Sequence, residues 1–86
     1  MADTMRYTVE LKPRAIKDLK ELPQKDQRRI IKKLELLATD LQGDVKKLTD
    51  FSPEYRLRVG TWRALFEVEG VKIVVYRILH RSRAYS

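Results

Sequence analysis

Two short stretches hold most of the residues able to handle a phosphate. Y-R-L-R-V-G-T-W-R, residues 55–63, carries Arg56, Arg58 and Arg63; H-R-S-R-A-Y, residues 80–85, carries His80, Arg81, Arg83 and Tyr85. A guanidinium presents a planar fork of N–H donors that fits phosphate or carboxylate bidentately. An imidazole moves a proton near neutral pH, and a phenol stacks on a base or orients it. The chemistry such a set suits is stabilising charge on a phosphate while a proton is moved. With no cysteine and one histidine, the chain offers no thiolate nucleophile, no disulfide and no His/Cys metal centre.

Charge points the same way. The 86 residues carry a formal net charge of +7, which suits a polyanionic partner. Residues 1–53 hold 8 Lys, 4 Arg and 9 acids, whereas residues 54–86 hold 6 Arg, 1 Lys and 3 acids. Lysine on a helix surface is ordinary solvation; the shift to arginine marks the C-terminal third.

The elements that must position these residues are legible in outline. Residues 6–11 alternate Tyr7, Val9 and Leu11 with polar neighbours, a strand pattern. Pro13 suits the first turn of a helix, with Ile16, Leu19 and Leu22 as its apolar stripe. Pro23 ends that helix, and a second over residues 24–39 places Ile30, Ile31, Leu34, Leu37, Ala38 and Leu41 on one face. Residues 41–51 read as a connection. Three strands follow, parted by Gly60-Thr61 and Glu69-Gly70, the last apolar on both faces as an interior strand should be. The expected fold is α+β, a single domain over residues 1–86 in the order β-α-α-β-β-β, with an antiparallel sheet and an N-terminal helical hairpin on one face. If Tyr55, Leu57 and Val59 pack beneath the helices, Arg56 and Arg58 point to the opposite face. Arg63 joins them there, and His80, Arg81, Arg83 and Tyr85 are expected to converge on the same side. No carboxylate is assigned to that pocket.

The order of these pieces resembles the RelE/ParE toxin superfamily, and its RelE branch in particular. The resemblance spans nearly the whole chain and is carried by K-L-T, Y-R-L-R-V-G-T-W-R, the valine-rich strand and the closing H-R-S-R-A-Y. It implies a type II toxin bound by a cognate antitoxin. When free, such a toxin enters the ribosomal A site and cuts mRNA by metal-independent attack of a 2′-OH on the adjacent phosphate, with no cofactor. By resemblance, Arg56 and Arg58 match paired basic positions that are lysines in better-studied members. Arg63 matches a transition-state arginine, Arg81 a phosphate contact or general acid, and Tyr85 a nucleotide-orienting tyrosine. A guanidinium does not give up its proton in a protein, so the base role of those lysines does not carry over, and His80 becomes the candidate acid or base. Arg83 and Lys47 are candidate RNA contacts. The alternatives are a ParE-like inhibitor of DNA gyrase and a catalytically idle module that binds RNA or antitoxin. No segment reads as a secretory signal or a membrane span, so a cytoplasmic chain is expected.

Overall fold

The computed structural model describes residues 5–84. Strand β1, Thr8–Leu11, is followed by helices α1, Pro13–Lys20, and α2, Gln24–Leu37. Four strands complete the chain: β2, Asp44–Lys47; β3, Tyr55–Val59; β4, Trp62–Glu69; and β5, Lys72–His80. The α+β architecture expected from the sequence is the one observed. The sheet is larger and less uniform than expected, with five strands in the order β1-β5-β4-β3-β2. Its β2–β5 part is antiparallel throughout, but β1 runs parallel to β5, Val9 opposite Ile73 and Leu11 opposite Val75. The connection permits this: a chain that leaves β1 through two helices and three strands can add its last strand in either direction. The segment read as a connection contains β2, paired antiparallel with β3.

Both helices pack on one face of the sheet. The core there joins Ala15, Ile30, Leu34 and Leu37 from the helices to Leu57, Val59, Ala64, Phe66, Ile73, Val75 and Ile78. On α1 it is Ala15 that is fully buried, with Leu19 and Leu22 packed beside it, whereas Ile16 is exposed; on α2, Ile31 is likewise exposed. Proline opens each helix, Pro13 as the first residue of α1 and Pro23 as the cap of α2. The link between them is fastened by Gln27 Nε2, which donates to the Leu22 carbonyl at 2.7 Å. Beyond α2, Asp40 and Leu41 take positive φ (59° and 55°) and reverse the chain, so Leu41 does not continue the helix. Among the described residues no helix is long and apolar enough to cross a membrane.

Gly43 sets the start of β2. Its φ is +129°, and a Cβ there would lie 2.9 Å from Leu57 Cδ1, a fully buried side chain. Gly43→Ala is therefore expected to cost about 1–3 kcal/mol from backbone strain and the clash together. In a domain of this size that lowers the thermal midpoint by about 5–15 °C. Thermal denaturation checks it, and an unchanged midpoint would refute the constraint.

Candidate functional site

Alternation along β3 buries Leu57 and Val59 beneath the helices and turns Arg56 and Arg58 to the second face. Strand pairing extends this outward in two transverse rows. Asp44 lies opposite Arg58, and Arg58 opposite Arg63; in the next row Lys46 lies opposite Arg56, and Arg56 opposite Leu65. Residues directly opposite share a face, with Cβ atoms roughly 5 Å apart. Lys46, Leu48, Arg56, Arg58 and Arg63 thus line one depression of about 350 Å³ on the face without helices.

The expectation that no carboxylate belongs to this cluster is corrected. Asp44 sits within it: Arg56 Nη1 donates to Asp44 Oδ1 at 3.1 Å and to the Asp44 carbonyl at 3.0 Å, and Arg58 Nε lies 3.6 Å from Oδ2. The hydrogen bond from Arg56 is the main cause holding the Asp44 carboxyl below the ordinary carboxylate range; it prevails over slight desolvation and is helped by the charges of Arg56, Arg58 and Arg63. The arginines are held differently. The Arg56 side chain is 14% exposed and fixed by Asp44, whereas that of Arg58 is 57% exposed. Arg63 uses one nitrogen, Nη1, to donate to the Gly60 and Trp62 carbonyls, both at 2.9 Å. Its remaining N–H groups stay available to a ligand.

The second stretch does not all meet the first. His80 pairs with Trp62, on the helix side of the sheet, and its ring stands edge-on to the indole with centroids 5.5 Å apart. Its expected convergence with Arg56, Arg58 and Arg63 is therefore corrected: alternation puts Leu79, not His80, on their face. A backbone N–H can only donate, so the bond from Ser82 N to His80 Nδ1 (3.2 Å) makes Nδ1 the unprotonated nitrogen. The Ser82 hydroxyl lies 2.9 Å from the same atom, and with Nδ1 accepting from the backbone the ring proton sits on Nε2. In this state the nitrogen free of Ser82 is a donor rather than a base. His80 and Arg83 border a separate cleft of about 540 Å³ between α1 and the end of β5, together with Arg14, Lys17, Asp18 and Trp62. Arg81 is exposed, and its N–H donates to the Thr61 carbonyl at 2.7 Å. That bond carries the β4–β5 pairing into the turn that follows His80. Lys47 pairs with Tyr55 on the helix side, and Lys46 is the lysine beside the arginines. Tyr85 lies outside the described residues.

Three further residues were missed by sequence reasoning. Asp44 and Lys46 belong to β2, whose single apolar residue, Val45, gives too little alternation to identify a strand. Arg29 reaches from α2 to the β3–β4 turn, where a Cβ on Gly60 would lie 3.2–3.6 Å from its guanidinium. The turn is thus flanked by Arg29, Arg63 and the start of the Arg81 segment.

Comparison with known proteins identifies the family. Residues 9–85 match the family described as ParE toxin of type II toxin–antitoxin system, parDE. Toxin RelE3 of Methanocaldococcus jannaschii is 37% identical over 76 residues, covering 83% of this chain and 86% of the relative. Among solved structures, the RelB–RelE antitoxin–toxin complex from Methanococcus jannaschii contains a chain that is 33% identical with a TM-score of 0.71, covering 84% of this chain and 89% of that one. The archaeal RelE–RelB complex from Pyrococcus horikoshii OT3 gives 27% identity and a TM-score of 0.75, covering 93% and 100%.

Proposed function

Because this chain belongs to the RelE/ParE superfamily of type II toxin–antitoxin toxins, we propose that it is a ribosome-dependent mRNA endonuclease of the cytoplasm, held inactive by a cognate antitoxin. The observation that carries the reading is the row of Arg58 and Arg63 beside Arg56 and Lys46, on the face that no helix covers. A phosphate seated on Arg58 and Arg63 meets preorganised donors that strengthen as charge develops on the phosphorane, the kind of stabilisation that usually dominates catalysis. The 2′-oxygen attacks phosphorus, the bond to the 5′-oxygen breaks, and the products are a 2′,3′-cyclic phosphate and a free 5′-OH. Arg81 approaches the same phosphate from the end of β5, and Tyr85 orients the nucleotide. His80 acts as an Nε2–H donor from the neighbouring cleft, with Arg83 as a backbone contact there. The antitoxin reading rests on the RelB–RelE complexes among the similar structures and on the +7 charge that an acidic segment would offset.

Mapping mRNA ends after brief induction of the wild type and Arg81→Ala tests this. New ends inside translated codons, abolished by a translation block and lost in Arg81→Ala, are expected. The ParE description of the matched family favours a second reading, inhibition of DNA gyrase. Growth arrest without new ends would sink the nuclease and support that second reading, to be followed by a gyrase supercoiling assay. Neither arrest nor cutting would leave an idle binding module.

A further inference from the structure

Arginine-rich nuclease chemistry needs one component besides the arginines on this face, a group that can accept a proton. A guanidinium holds its proton in a protein, His80 lies on the other side of the sheet, and its Nδ1 is occupied by Ser82. Asp44 remains. Among the acids on this face, it is the one that the strand register sets in a single transverse row with these arginines, one strand from Arg58 and two from Arg63. Its side chain is 54% exposed, so an incoming ribose can reach it. The carboxylate has about four lone-pair sites, and the contacts to Arg56 and Arg58 occupy only part of them.

We propose that Asp44 is the general base of RNA cleavage, an assignment that rests on the nuclease reading above. With the scissile phosphate on Arg58 and Arg63, the ribose on its 3′-oxygen extends along the row toward β2 and brings its 2′-OH to Asp44. The carboxylate takes the 2′-OH proton, the 2′-oxygen forms its bond to phosphorus, and the P–O5′ bond breaks. The 5′-oxygen takes a proton from water, and Asp44 returns its own to solvent, so the reaction is an internal transesterification with no co-reactant. The charged groups facing Asp44 are Arg56 and Arg58 from β3, Arg63 from β4 and Lys46 on its own strand. They keep the carboxylate ionised at neutral pH, and Arg56 fixes its orientation through the main chain and side chain at once.

Asp44 has a competing use as a mere counter-ion that occupies the arginines until RNA displaces it, and the two uses differ in sign. The full chain is assayed on translating ribosomes for cutting, and on an RNA oligonucleotide bearing 2′-O-methyl at the cut position for binding. As base, Asp44→Asn cuts about 10²–10⁴ times more slowly yet binds the oligonucleotide as tightly as the wild type or several-fold tighter, because a negative charge has left the cluster. Asp44→Glu, which keeps a carboxylate, recovers cutting to within about ten-fold. An Asp44→Asn protein that cuts within about three-fold of the wild type, or faster, overturns the assignment, and the faster result makes Asp44 a counter-ion. A parallel loss of binding and cutting overturns it as well, since that is the mark of a structural role. Asp44→Ser gives the same comparison should the amide variant fail to fold, as judged by circular dichroism. A wild type that cuts nothing on ribosomes overturns the nuclease reading itself and the base assignment with it.

Discussion

Arg63→Ala is expected to cut RNA about 10²–10³ times more slowly than the wild type, the usual cost of removing one preorganised donor from a developing negative charge. The expectation follows from how the side chain is held. Nη1 donates to two carbonyls of the β3–β4 turn, Gly60 and Trp62, both at 2.9 Å. Those bonds fix the plane of the guanidinium before any ligand arrives, so little reorganisation is needed as the phosphorane forms. Arg63→Lys keeps the charge but loses the fork and its turn contacts, and it is expected to recover only part of the rate. Stability is a separate matter. The hydrogen bonds to Gly60 and Trp62 tie down a turn rather than the core, so the thermal midpoint of Arg63→Ala should move by only a few degrees. Arg56 contrasts with it, being 14% exposed and bonded to both the carbonyl and the carboxylate of Asp44. Arg56→Ala should lose folding stability along with activity. Single-turnover cleavage on programmed ribosomes, run beside thermal melts, separates the two cases. An Arg63→Ala protein that cuts within about three-fold of the wild type would remove Arg63 from the phosphate site.

The half of this site on β3 and β4 was legible because those strands alternate cleanly. Leu57 and Val59 are unmistakably inward residues, and their burial forces Arg56 and Arg58 outward. Strand β2 escaped notice for the opposite reason. D-V-K-K has one apolar residue, and one inward side chain does not define a period. With Val45 opposite Leu57, however, Asp44 and Lys46 must face the arginines and Lys47 must not. The fate of His80 was hidden by β5, which is apolar on both faces, so its sequence does not say which residues point where. Its pairing with β4 also shifts register between Leu65 and Phe66, and an irregularity of that kind reverses the alternation on one side of it. The helices erred in a smaller way. Ile16 and Ile31 fit their apolar stripes by spacing, but the short α1 turns the small Ala15 to the sheet and leaves Ile16 exposed. Local pattern settles which face of an isolated element is apolar, whereas the parallel β1–β5 pairing is decided by the whole sheet.

That same irregularity in β5 leads to the largest stability effect we expect from a single polar side chain. Just past it, Asp18 of α1 accepts three hydrogen bonds from β5: from Arg77 Nε at 2.8 Å, Arg77 Nη2 at 3.2 Å and the Ile78 backbone N–H at 2.9 Å. The Asp18 side chain is 14% exposed and that of Arg77 29%, so the pair is shielded, and its bidentate geometry is the favourable kind. Asp18→Ala leaves both the Ile78 amide and the guanidinium without this partner and should cost about 2–4 kcal/mol. In a domain of this length the thermal midpoint then falls by about 10–25 °C. Asp18→Asn retains an acceptor for Ile78 and should cost less. The pH dependence has a definite sign. Burial alone raises the Asp18 pKa, but the bonds from Arg77 and Ile78 and the charges of Arg77 and Arg14 outweigh it, and the folded value lies below the ordinary one. The carboxylate's contribution is therefore fully present above the unfolded pKa of about 4 and is lost as pH falls through the lower folded value. Asp44 is depressed as well, so the quantity to follow is the gap between wild type and Asp18→Ala, in which the other acids cancel. That gap should be widest near pH 7 and shrink steadily below about pH 4. Paired thermal melts across this range measure it. A gap that stays constant into strong acid would mean that Asp18 holds α1 to β5 by shape and neutral hydrogen bonding, with the charge on its carboxylate contributing nothing.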